Sequence, residues 1–266
     1  MTQNGVTGTR IDEDRLLRIF HGTCLAVRAM HEYRLPNVTA TYPPTRDDEP
    51  LLNQPELVFD APDDEPGQEG ELVPYAHRDI KPGNVMLADD DTPILMDFGS
   101  TIKWVYSDLA LTPRARIPIA NRQQALLEQD IAAEHSTMPY RAPELFDVKT
   151  GKTLDEKVDI WSLGCTLYAV AYGFSPFETD GASIAMAVMS GRYRHPGGYS
   201  DRVTKLIDAM LVVDPAERPD IQKVGCVRVQ PGIKLSHAPP HVSIGLRSHQ
   251  VIDLTEASLR TGPNSN

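Results

Sequence analysis

Four short stretches in one fixed order constrain this chain more than anything else in it. His77-Arg78-Asp79-Ile80-Lys81-Pro82-Gly83-Asn84 comes first, and Asp97 of Asp97-Phe98-Gly99 follows Asn84 by thirteen residues. Ala142-Pro143-Glu144 and then Asp159-Ile160-Trp161-Ser162-Leu163-Gly164 complete the set. A lone Asp-Phe-Gly recurs by chance, whereas all four segments in this order do not. The first segment alone offers a carboxylate, an ammonium two residues on and an amide oxygen, so the fold has to present one loop and one turn to the same reactants.

The bulk of the chain supports a body able to hold such a site. With 41% apolar and 24% charged residues over 266 positions, it can bury at least one substantial core. Its three cysteines, Cys24, Cys165 and Cys226, are odd in number and scattered, which predicts reduced thiols rather than a disulfide framework. The longest apolar run, around Cys165 to Phe174, is too short to span a bilayer. The first residues lack a basic-then-apolar leader pattern, and Thr2 excludes N-myristoylation of this N-terminus. These features predict a soluble intracellular chain.

The formal charge of −11 has a local origin. Ten acidic residues and no lysine or arginine lie between Asp47 and Glu71, together with Pro50, Pro55, Pro62 and Pro66. Such a composition buries too little to offset its ordering entropy, so residues 34–72 read as an acidic disordered insertion. Disorder is also expected for 1–10 and for the tail 225–266, where prolines and glycines replace periodicity. No basic patch suggests a nucleic-acid partner.

The ordered remainder is mostly helical. Leu16, Leu17, Phe20, Leu25, Val27 and Met30 recur at helical spacing over 11–33, with Thr9 or Asp12 as cap. Val85-Met86-Leu87 and Ile94-Leu95-Met96 bracket Asp89-Asp90-Asp91 and predict a small hairpin. Helices are expected over 121–134, 155–173, 181–191 and 201–213, the second of them buried.

Phosphoryl transfer asks a protein for a carboxylate near the attacking hydroxyl, metal ligands on the phosphates and positive charge on the moving group. Asp79 suits the first role and Lys81 the third. Asn84 and Asp97 offer the oxygen ligands that Mg²⁺ takes. On these segments the chain resembles the eukaryotic protein kinases over about residues 11–224, and a lysine two positions after Asp79 resembles the Ser/Thr branch. Asn121 to Ala133 is similar to the extra activation-segment helix of the Numb-associated kinases, closest to their small palmitoylated, Golgi- and vacuole-associated members.

The resemblance implies a mainly α (α+β) fold, the large C-terminal lobe of a kinase with a small β-hairpin at the catalytic loop and an activation segment over 97–144. It implies ATP and Mg²⁺ as cofactors. Asp79 would be the catalytic base, Lys81 the γ-phosphate contact, Asn84 and Asp97 the Mg²⁺ ligands, and Met86 the floor under adenine. Thr137 would tie the substrate loop to Asp79 and Lys81, Glu144 would pair with Arg218, and Asp159 would accept N–H bonds from the catalytic loop. Arg78 is a candidate receiver of an activation-segment phosphate, with Ser136 or Thr112 as its source. The implied partner is a protein substrate with a Ser or Thr acceptor. The implied setting is a monomer in the cytoplasm, peripheral on Golgi or vacuolar membranes by analogy.

Two departures accompany the resemblance. No Gly-x-Gly-x-x-Gly loop and no Val-Ala-Ile-Lys strand occur upstream of His77, so the small N-terminal lobe that positions ATP is expected to be absent and the chain inactive alone. The alternative expectation is a non-catalytic kinase-lobe binding module. Trp104 to Arg114 and the residues after Val224 also break the pattern, as intronic or out-of-frame sequence would.

Overall fold

A computed structural model describes residues 10–34, 72, 74–103, 117–178 and 183–225. The predicted first helix is α1, Glu13–His31. Its cap is Asp12 rather than Thr9: the Asp12 carboxylate accepts from Arg15 N at 3.1 Å, satisfying one of the free amides of the first turn. Glu13 and Asp14 stand at the positive end of the helix and Arg28 and His31 at the negative end, the favourable order for its dipole.

The hairpin forms one residue earlier on its second arm than the apolar run suggests. β1, Val85–Leu87, pairs antiparallel with β2, Pro93–Leu95, with Val85 opposite Leu95 and Met86 opposite Ile94. Asp91 turns the chain at φ 66°, and its carboxylate receives two bonds from Arg15, at 2.7 and 2.8 Å, which pin the turn to α1. A five-residue helix that the sequence did not announce, α2 (Gly99–Lys103), follows. A two-residue ladder joins β3, Ile117–Pro118, to β4, Thr153–Leu154. Between them lies α3, Arg122–His135, capped by Asn121, which accepts from Gln124 N at 2.9 Å.

The body is organised around α4, Lys157–Tyr172, whose residues from Val158 to Ala171 are all buried, as its high apolar content predicts. Gly173 ends it in the left-handed region at φ 87°, where its N–H reaches Ala169 O. α5 (Ile184–Ser190), α6 (Asp201–Met210) and α7 (Ile221–Gly225) complete the order. α4 and α6 approach closely because Gly164 has no side chain: a Cβ there would lie 2.8 Å from Leu211 Cδ2 and 2.9 Å from Met210 Cβ. Trp161 of α4 stacks on Phe177 with ring centroids 5.3 Å apart. One apolar cluster runs from Leu16 and Phe20 of α1 through Ile80 and Leu163 to Ile207 and Val224.

The mostly helical lobe with its small hairpin agrees with the expected class. The expected disorder of 1–10, 34–72 and 225–266, and the breaks at Trp104–Arg114 and beyond Val224, fall almost wholly outside the described residues. At the margins of the acidic insertion, Arg34 and Leu72 form an isolated antiparallel bridge, so the insertion leaves and rejoins the body at one place. Among the described residues no helix is long and apolar enough to cross a membrane.

Candidate active site

The site is built downward from a buried carboxylate. Asp159, in the first turn of α4, accepts from the backbone N–H of His77 and of Arg78, each at 2.7 Å, and from His31 Nε2 at 2.9 Å. Burial pushes its carboxyl up, but the His31 bond and charge and the Arg78 amide together hold it below the usual carboxylate range. Two consecutive loop amides are thereby fixed to the central helix. Sequence reasoning assigned that role to Asp159 but missed His31, because a lone histidine at a helix C-terminus reads first as a dipole partner.

Above this anchor the loop is held in unusual backbone geometry. Arg78 has φ 69° and Asp97 φ 62°, both in the left-handed region that costs a non-glycine residue of order 1–3 kcal/mol. His77 helps offset that cost. Its Nδ1 accepts from Asp79 N at 3.3 Å, so Nε2 carries the proton and donates to Met96 O at 2.9 Å. The ring therefore ties the catalytic loop to the residue just before Asp97. Met96 N also donates to Asn84 O at 2.9 Å, extending the hairpin pairing so that Asn84 and Asp97 leave it at the same end.

The structure brings Asp79, Lys81, Asn84 and Thr137 into one bonded group. Asp79 Oδ1 accepts from Thr137 N at 2.9 Å and Thr137 Oγ1 at 2.8 Å. Asp79 Oδ2 accepts from Lys81 Nζ at 2.7 Å and Asn84 Nδ2 at 3.2 Å. Lys81 Nζ donates as well to Thr137 Oγ1 at 2.7 Å, and Asn84 Nδ2 to Asp79 O at 2.9 Å. A carboxylate has about four lone-pair sites, and all of them are engaged. Asp97 makes no hydrogen bond to this group. It is exposed beside it, as is Met86, which is 52% accessible on β1.

The residues that follow α3 adjoin this group through Thr137. Arg141 donates to Ser136 Oγ, Ser136 O and Ala133 O, and lies over the Phe146 ring at 4.9 Å. Ser136 Oγ donates in turn to Ala132 O at 2.6 Å. Ser136, one of the two suggested phosphate sources for Arg78, is thus held by Arg141 and the end of α3; Thr112 lies outside the described residues. Arg78 and Glu128, an acid of α3 that sequence reasoning did not single out, are both buried. Burial lowers the Arg78 guanidinium from its ordinary value, and the charges of Glu128 and then Asp159 oppose that shift. Glu144 and Arg218 form the two-pronged pair expected of them, at 2.7 Å on both prongs.

Among the described residues no group of three His, Cys, Asp or Glu side chains could cage a metal. Asn84 Oδ1 and the Asp97 carboxylate are nevertheless hard oxygen donors without hydrogen bonds among the described residues. That set fits Mg²⁺, which takes one or two protein ligands and completes its shell with water and phosphate oxygens.

Residues 74–227 match the protein kinase domain family. The chain is 37% identical over 228 residues to serine/threonine-protein kinase ppk13 of Schizosaccharomyces pombe, covering 82% of this chain and 60% of that one. It is 40% identical over 151 residues to human serine/threonine-protein kinase 16, covering 55% of this chain and 46% of the relative. Serine/threonine-protein kinase ENV7 of Saccharomyces cerevisiae is 38% identical over 153 residues, covering 55% and 39%. The chain spans between 39% and 60% of the length of these three relatives.

Proposed function

The chain belongs to the protein kinase family, and from that premise we propose that it is the large lobe of a serine/threonine kinase that moves the γ-phosphoryl group of ATP to a Ser or Thr hydroxyl of a protein. One observation carries the reading: the Asp79 carboxylate is bound at once by Lys81, Asn84 and Thr137, on a loop whose two preceding amides are locked to Asp159. A structural loop has no use for a lysine and a carboxylate held together at the mouth of a site.

The residues divide the work as follows. Thr137 N and Oγ1 fix Oδ1 of Asp79 and so aim Oδ2. Lys81 Nζ donates to Oδ2 at 2.7 Å. Its charge is placed to meet a γ-phosphate, and transfer of that bond to the phosphate would free a lone pair of Asp79 for the acceptor hydroxyl. The hydroxyl oxygen then bonds to phosphorus as the bond to the ADP oxygen breaks, and the hydroxyl proton passes to Asp79. Bound Mg²⁺ would draw charge from the phosphate oxygens, and Asn84 and Asp97 would hold it. Met86 would lie under the adenine.

Positioning supplies most of the catalysis in phosphoryl transfer, and the 266 residues contain no glycine-rich loop or Val-Ala-Ile-Lys lysine to provide it. We therefore assign the covering groups to a small lobe outside this sequence, and low activity to these residues alone. The same observation favours the second reading, a kinase-lobe module that binds partners without catalysis. By analogy with the small palmitoylated branch of the Numb-associated kinases that its sequence resembles, the protein would act as a monomer in membrane trafficking, peripheral on Golgi or vacuolar membranes.

The test is transfer of labelled γ-phosphate from Mg-ATP to a generic Ser/Thr protein substrate. It is run for residues 1–266 alone and for the same residues joined to the small lobe of the ppk13 relative. The fusion is expected to label the substrate and to lose at least a hundredfold in rate on Asp79→Asn or Asp97→Ala, while residues 1–266 stay at the level of their own Asp97→Ala control. A folded fusion that binds substrate and transfers nothing would leave the binding-module reading in possession.

A further inference from the structure

We propose that Arg141 is a positioning residue for the reaction, acting on Asp79 through the single peptide group that joins Ser136 to Thr137. The inference rests on the kinase reading for its meaning, but one arm of its test does not.

That peptide group is engaged at both ends. Its carbonyl, Ser136 O, accepts from Arg141 Nη2 at 2.9 Å, and its N–H, on Thr137, donates to Asp79 Oδ1 at 2.9 Å. The peptide is trans and planar, so its oxygen and its hydrogen point to opposite sides. The guanidinium and the carboxylate therefore lie across one rigid plate, the cation on the oxygen and the anion on the hydrogen. Each bond polarises the amide in the sense that strengthens the other. Thr137 Oγ1 donates to the same Asp79 oxygen at 2.8 Å, so any turn of the plate is passed on to the carboxylate.

Arg141 is built to hold this plate. It is 6% exposed; Nε donates to Ser136 Oγ at 2.8 Å, and Nη2 also reaches Ala133 O at 3.3 Å. Two prongs thus close on Ser136, one on its side chain and one on its carbonyl. A lysine could supply the charge but not the planar fork. The oxygens that Arg141 meets are neutral and gathered at the negative end of α3, and the Phe146 ring lies against the guanidinium at 4.9 Å. Those surroundings offset the cost of a buried cation and leave its charge directed along the peptide.

The path of bonds closes on α4. Ser162 Oγ donates to Tyr140 O at 2.8 Å, which fixes the peptide leading into Arg141. Three residues earlier on the same helix, Asp159 holds the amides of His77 and Arg78, and Asp79 follows them. One route from α4 to Asp79 runs through the loop, the other through Arg141, Ser136 and Thr137. The second ends on Oδ1 and leaves Oδ2 toward Lys81 and an acceptor hydroxyl.

Two measurements test this. In the 266-residue chain, the Thr137 amide proton is followed by nuclear magnetic resonance after selective labelling of threonine nitrogen, and assigned by its loss in Thr137→Ser. Arg141→Lys is expected to move that proton upfield, the direction in which Asp79→Asn moves it, because either change weakens the polarised chain. In the fusion with the small lobe of ppk13, Arg141→Lys is expected to lower kcat at least tenfold, with KM for ATP and for the protein substrate within twofold. In the Asp79→Asn fusion the same change is expected to cost less than twofold, since its effect runs through the missing carboxylate. Should Arg141→Lys fail to fold, Arg141→Gln, which keeps an N–H for the Ser136 carbonyl but no charge, is read in the same way. A Thr137 proton that stays in place in the Arg141 variant, or that Asp79→Asn does not move, would overturn the proposal. So would an equal loss of kcat in both backgrounds, the mark of a scaffold residue, or a loss confined to KM, the mark of one that binds substrate. If the unsubstituted fusion transfers no phosphate, the kinase reading sinks and the Thr137 proton alone decides whether Arg141 holds Asp79.

Discussion

Arg218 spends every N–H it has. Nε donates to Val212 O, Nη1 to Glu144 and Lys157 O, and Nη2 to Glu144 and Val213 O, at distances from 2.7 to 3.0 Å, while the guanidinium lies over the Trp161 ring at 5.1 Å. At 2% exposure it has no access to water if one partner goes. Removing one member of such a pair strands the other charge, so Glu144→Ala is expected to cost about 3–5 kcal/mol, read as a lower urea midpoint at unchanged m-value. Arg218→Lys keeps the charge but not the planar fork, and should fall close to it. Asp159 yields a pH prediction. Its folded-state pKa lies below the unfolded value of about 3.9, so its contribution is complete above that value and is lost as pH falls through the folded pKa. Asp159→Asn should be less stable at pH 6, and its stability should fall less steeply between pH 4 and pH 2, by up to one proton in the slope. An equally steep acid limb in the variant would contradict that placement of the pKa.

At the scale of elements, α3 shows where sequence patterning succeeds and where it stops. Asn121, the run through Ala132 and the following Ser136 mark its ends well, because caps and breakers are local chemistry. Its buried face was not legible. Leu126 and Leu127 are exposed, while Ala125, Glu128 and Ala132 face inward. Packing on the turn at Pro143–Leu145 and the bond from Gln129 to Phe146 O decide that choice, and both partners lie outside the helix. Exchanging Leu126 or Leu127 for Gln should therefore change stability by less than about 0.5 kcal/mol. Ala132→Leu, at a position with no spare room, should cost about 1–3 kcal/mol. Thermal unfolding of the three variants separates the cases. The same contrast holds at the site. Asp79, Lys81, Asn84 and Asp97 were named from order and residue type, because type and chemistry coincide there, and Thr137 from the family resemblance. His31 is an ordinary histidine until the fold sets it against Asp159.

At the scale of the whole molecule, the described lobe has a buried centre and one unfinished face. α4 is buried along its length against α1, α6 and the turns at Pro82–Asn84 and Met138–Tyr140. The hairpin is not: Met86 and Met96 are 52% and 39% exposed on the same end that carries Asn84 and Asp97. Large apolar side chains exposed side by side mark a surface that gains from a cover, which under the proposed function would be nucleotide and a second lobe. The consequence is physical and does not need activity to be seen. The 266-residue chain should self-associate reversibly through this face, its weight-average mass rising with concentration in sedimentation equilibrium. Met86→Lys combined with Met96→Glu should return it to a monomer while leaving the melting transition near the wild-type value, because neither side chain belongs to the buried cluster. A wild-type chain that stays monomeric at every concentration would mean that this face is content in water, and that the hairpin needs no cover.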